Sequence, residues 1–123
     1  MTLTEYLQLW GSKPFAWGSN DCVLFATRWY RECTGKDALQ GIEPWADKAG
    51  AVERLKSLGG LESAALAAFG EPRTGWKSGD IVLAHKGYNC LGIIVGSGIV
   101  ALSDSGIVPL DIENAKFIWN VHA

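Results

Sequence analysis

In the first half of the chain apolar positions recur at spacings of three and four; in the second half they gather in short runs between glycines. Thr2 or Thr4 can cap a short helix through Trp10, with Tyr6, Leu7 and Trp10 on one face. Gly11-Ser12-Lys13-Pro14 ends it, and Phe15-Ala16-Trp17-Gly18 reads as an extended or turn segment. Ser19, Asn20 and Asp21 supply N-cap candidates for an amphipathic helix running to about Thr34, stopped by Gly35. Residues 36–48 read as a loop carrying Pro44 and Trp45. A helix from Ala49 to Leu58 then closes at Gly59-Gly60, and another from Leu61 to Phe69 closes at Gly70. From Gly79 onward the pattern becomes that of strands: Ile81 to His85, Leu91 to Val95 and Ile99 to Leu102, then Gly106 to Leu110 and Phe117 to Val121. Helices followed by hairpin-linked strands predict an α+β fold, with helices packed on a small antiparallel sheet.

Size and charge narrow the classes. The 123 residues suit one domain, residues 1–123, able to bury a core without metal or disulfide staples. Eleven basic against thirteen acidic residues argue against a nucleic-acid partner, which draws on a surplus of Lys and Arg. No apolar run reaches the ~18 residues of a membrane span, and the start Met1-Thr2-Leu3-Thr4-Glu5 lacks the pattern of a signal peptide. Three cysteines, Cys22, Cys33 and Cys90, imply no disulfide framework and suggest synthesis in a reducing compartment. Six tryptophans in so short a chain supply core anchors, with Trp45 and Trp76 the loop-borne candidates for a partner surface.

Cys22 is the residue most suggestive of chemistry. It sits at the predicted start of the long helix, where free backbone N–H groups and the helix dipole favour a thiolate. A nucleophilic cysteine also needs a base, normally an imidazole held by a third polar group, and the chain has only His85 and His122. His122 is penultimate and reads as a chain end. If His85 and Cys90 flank a four-residue loop, they become cross-strand neighbours on one face, and His85 can face Cys22. A one-residue change of register would turn His85 to the opposite face. The same geometry would gather Cys22, His85 and Cys90, all acceptable Zn ligands, but no close-spaced ligand pair preforms a site, so neither metal nor cofactor is expected. Asp21 and Asp80 are explained by helix-start and turn hydrogen bonding.

The segment Phe15-Ala16-Trp17-Gly18-Ser19-Asn20-Asp21-Cys22 resembles the nucleophile segment of the NlpC-type cell-wall cysteine peptidases. Gly79-Asp80-Ile81-Val82-Leu83 resembles the opening of that family's first core strand, and Leu91-Gly92-Ile93-Ile94-Val95-Gly96 its second. The resemblance implies a papain-like layout with Cys22 as nucleophile. It also places Cys90 where the family carries its catalytic histidine, and apolar Val100, Ala101 and Leu102 where its third polar group lies. The chain is more similar still to short phage-encoded relatives found among tail genes. This similarity implies a phage tail-tip or assembly component without hydrolase activity, made in the host cytoplasm, carried in the virion and partnered by other tail proteins. Two alternatives stay open. One is a cysteine peptidase or amidase acting on peptidoglycan stem peptides, with Cys22 as nucleophile and His85 as base. The other is a module that binds such a peptide without cutting it.

Overall fold

The computed structural model describes residues 1–121; His122 lies outside them. Four helices come first: α1 (Leu3–Gly11), α2 (Cys22–Thr34), α3 (Lys48–Ser57) and α4 (Leu61–Phe69). Five strands come after them: β1 (Ile81–His85), β2 (Asn89–Val95), β3 (Gly98–Ser103), β4 (Gly106–Asp111) and β5 (Ala115–Trp119). They form one antiparallel sheet in the order β4-β3-β2-β1-β5. The α+β arrangement expected from the sequence is therefore present, with element ends displaced by a residue or two.

Local chemistry sets the helix limits. Thr2 Oγ1 accepts from Glu5 N at 3.1 Å while the Glu5 carboxylate accepts from Thr2 N at 2.9 Å, a reciprocal capping box that starts α1. Gly35, at φ +76°, closes α2 in the left-handed conformation that glycine adopts without a Cβ clash. Helix α1 lays Tyr6 and Trp10 on Phe25 and Trp29 of α2, and Tyr6 Oη donates to the buried Phe25 carbonyl at 2.6 Å. The helices cover one face of the sheet, where Ile81, Leu83, Leu91, Ile93, Leu102 and Trp119 join the main core.

The other face is buried as well, through Val82, Ala84, Ile94, Ile99 and Ile118. Chain length explains how. Strands β4 and β5 lie at opposite edges, yet only the single turn Ile112–Asn114 joins them. The four steps from Asp111 to Ala115 reach at most about 14 Å at ~3.3–3.6 Å per residue. Four strand spacings of ~4.8 Å in a flat sheet would need about 19 Å. The sheet must curl, and Leu110, Ile112 and Ala115 fold over its second face.

Two hairpins set the register in the middle of the sheet. Residues Gly96 and Ser97 link β2 to β3 tightly, with Val95 opposite Gly98. Between β1 and β2 the pairing is His85↔Asn89 and Ala84↔Cys90 around the three-residue turn Lys86-Gly87-Tyr88. Gly87, at φ +80°, permits this tight turn, and Lys86 N donates to Tyr88 O at 3.1 Å. This corrects the expected four-residue loop. His85 and Cys90 are not cross-strand partners, and alternation puts their side chains on opposite faces.

Candidate functional site

The site begins with Asp21, which is fully buried. Its Oδ1 accepts from Leu24 N at 2.9 Å and caps α2. Its Oδ2 accepts from Gly18 N at 2.9 Å and from Trp45 Nε1 at 2.7 Å. One carboxylate thus joins the Trp17-Gly18 turn, the start of α2 and the long loop before α3. Gly18 allows the close approach: at φ +84° an added Cβ would lie 2.1 Å from the Trp45 carbonyl oxygen. Trp45 is therefore half-buried and anchored rather than free on its loop. Trp76 is exposed, as a docking residue would have to be.

Cys22, the first residue of α2, is half-buried at the wall of a groove of about 570 Å³. Phe15 and Trp17 line it from the turn before α2, Lys48, Val52 and Leu55 from α3, and Tyr88 from the β1–β2 turn. Asn89 and Cys90 at the start of β2 line it too, as do Ala101, Leu102 and Ser103 at the end of β3. Burial pushes the Cys22 thiol up to about 11, and the neighbouring Asp21 carboxylate adds to the rise; Cys90 contributes weakly in the same direction. Hydrogen bonds from backbone N–H groups pull the other way but do not prevail. The expectation that the helix start would favour a thiolate is corrected: desolvation and an adjacent anion outweigh the dipole. At neutral pH Cys22 is a thiol.

Cys22 and Cys90 line the same groove, whereas His85 is not among its lining residues. His85 is exposed at the hairpin end, with Nδ1 2.8 Å from Asn89 Oδ1. Alternation still places the pair on the helix-covered face with Leu83 and Leu91, so Asn89 connects the imidazole to the groove. Among the described residues no three His, Cys, Asp or Glu side chains gather as a metal site. Asn89 and the aromatic rim of Phe15, Trp17 and Tyr88 were not singled out as site residues from the sequence. An Asn one residue past a glycine turn reads there as turn chemistry, and a loop tyrosine gives no sign of what it overhangs.

Fold and site define a small α+β domain with a cysteine at a helix start beside a groove in the sheet. The chain belongs to the family described as a domain of unknown function, DUF6950, which matches residues 1–121. No curated protein matches the chain.

Proposed function

We propose that this protein is a non-hydrolytic structural or assembly component of a phage tail, built on a papain-like fold of the NlpC peptidase type. The resemblance of the segments around Cys22, Asp80 and Gly92 to those peptidases and their tail-encoded relatives motivates the fold and the setting. The lack of hydrolysis rests on one observation: Cys22 is held as a neutral thiol in a groove whose lining, among the described residues, includes no imidazole. A cysteine nucleophile attacks as the thiolate, and a thiol at about 11 supplies almost none at neutral pH. The purified protein, incubated with peptidoglycan stem peptides, is expected to release no fragment in a Cys22-dependent way. Cleavage that disappears in Cys22→Ala would overturn the non-hydrolytic reading. Mass spectrometry of purified particles of the encoding phage is expected to find this chain, and its absence there would remove the tail assignment.

One observation favours a second reading, a cysteine peptidase or amidase. The His85–Asn89 contact at 2.8 Å is an imidazole held by an amide, and that amide lines the cysteine's groove. In this reading His85 takes the Cys22 proton when substrate closes the site. Activity lost in both Cys22→Ala and His85→Gln would support it; activity unchanged in His85→Gln would remove the base.

A further inference from the structure

Among the described residues α3 is the one helix that puts no side chain into either core cluster. Helix α2 buries seven residues, and α4 adds Ala65 with Leu61, Leu66, Ala68 and Phe69 packed beside the core. In α3 only Ala51 is buried, while Val52 is 46% exposed and Leu58 40% exposed. Hydrogen bonding repeats the pattern. Asp47 Oδ1 caps α3 by accepting from Gly50 N at 2.7 Å, and Arg54 meets Glu43 of the preceding loop at 3.0 Å. The remaining bonds of α3 stay within the helix or reach its immediate flanks, and among the described residues none joins it to α1, α2, α4 or the sheet.

Much of what lies under α3 is space. Lys48, Ala51, Val52 and Leu55 wall the Cys22 groove of about 570 Å³. Ala51, Leu55 and Leu58 also wall a second hollow of about 40 Å³, which reaches in to Val23, Ala65 and Leu91. Ala51 and Leu55 thus stand between the two. The segments on either side of α3 are held firmly by contrast. Trp45 donates to the buried Asp21 carboxylate at 2.7 Å, and Phe69 at the end of α4 packs between Tyr30 and Trp119. Between α3 and α4 lie Gly59 and Gly60, at φ +86° and +101°, a pair free to change conformation without a Cβ clash.

We propose that α3 is a lid over the Cys22 groove, lifting as a unit between the Trp45 anchor and the Gly59-Gly60 pair while the core stays closed. A segment opens apart from the rest of a fold when few buried apolar contacts and no distant hydrogen bonds hold it, and α3 meets both conditions. Lifting it takes Lys48, Val52 and Leu55 from one wall of the groove, so that Cys22 and Val23 on the other meet solvent. It also joins the groove to the smaller hollow, since Ala51 and Leu55 divide them. Access to the cysteine is then set by the stability of α3 itself and not by that of the core. This device does not depend on the tail assignment or on whether Cys22 attacks a substrate.

Native-state hydrogen exchange of the whole chain reads the lid, and iodoacetamide labelling of Cys22, with Cys33 and Cys90 replaced by Ser, reads the groove. Amides of α3 are expected to be at least about tenfold less protected than those of β1 and β2, with a shallower dependence on urea because a lifted helix exposes less surface than global unfolding. Glu53 is exposed, lies in α3 and lines neither hollow. Glu53→Gly lowers helix propensity and should speed α3 exchange and Cys22 labelling together, about three- to fivefold. Arg31→Gly, at an exposed position of α2, destabilises the closed and lifted forms alike and should leave both rates unchanged. Protection and urea slope in α3 equal to those of β1 and β2 would overturn the lid. So would Cys22 labelling that ignores Glu53→Gly, or that responds as strongly to Arg31→Gly.

Discussion

Replacing Asp21 by Asn changes one atom and keeps the side-chain volume, so it isolates the work of a buried carboxylate. Asp21 is wholly inaccessible and accepts three hydrogen bonds, from Leu24 N, Gly18 N and Trp45 Nε1. An amide has one oxygen. Turned so that oxygen replaces Oδ2, it keeps Gly18 and Trp45 and presents its NH₂ to Leu24 N; turned the other way, it faces two donors. At least one donor is left opposed to a donor, in a site with no access to water. Hydrogen bonds to charged groups contribute about 1.5–3 kcal/mol each, and an anion at a helix N-terminus about 0.3–1 kcal/mol. The expected loss is therefore about 2–4 kcal/mol. With an unfolding entropy of ~2.1 cal/mol/K per residue, this lowers Tm by roughly 8–15 °C. Urea unfolding followed by circular dichroism measures the loss directly. Trp45→Phe, which removes one of the three donors, is expected to cost less, and the Asp21→Asn/Trp45→Phe pair should be non-additive because both act on one hydrogen bond. A loss below about 0.5 kcal/mol in Asp21→Asn would refute the role of this carboxylate as the joint between turn, helix and loop.

Gly18→Ala should be far more damaging than Gly35→Ala. Both have positive φ, but the new Cβ meets the Trp45 carbonyl at 2.1 Å in the first case and nothing within 4 Å in the second. Thermal unfolding is expected to show the ~1 kcal/mol of left-handed strain for Gly35→Ala and at least twice that for Gly18→Ala. Stability should also fall on the alkaline side. The folded Cys22 thiol holds its proton to about 11 from an ordinary 9.0, so between these values the unfolded chain binds fewer protons and unfolding becomes easier as pH rises. Near 1.36 kcal/mol per unit, the decline attributable to Cys22 is about 2–3 kcal/mol, read as a steeper fall of urea stability in wild type than in Cys22→Ser above pH ~9.

Much of the fold was legible because its signals are local. A threonine cap at the start, the glycine stop at Gly35 and the glycine-punctuated apolar runs each act within a few residues, and all four helices and five strands arise from such signals. Cys22 at the start of α2 was legible for the same reason. The β1–β2 register was not, because it depends on whether the turn uses three or four residues. Tyr88 and Asn89 fit either choice, and one residue moves His85 from beside Cys90 to beside Asn89. The state of Cys22 was hidden differently. A helix start argues for a thiolate, and only the packing of the groove and the buried Asp21 reveal the larger opposing effect. Trp45 joined the core for a reason no spacing encodes, a hydrogen bond to a carboxylate well upstream of it in the chain.

The most direct measurement is the alkylation rate of Cys22 against pH, with Cys33 and Cys90 replaced by Ser, in otherwise wild-type protein and in His85→Gln. If Cys22 is a half-buried thiol served by no imidazole, both proteins react slowly at neutral pH. Their rates then rise together, with a midpoint near 11 and well above the ~8.5 of a free cysteine. A midpoint below ~8.5 that moves upward when His85 is replaced would contradict the account and establish a working Cys22–His85 pair.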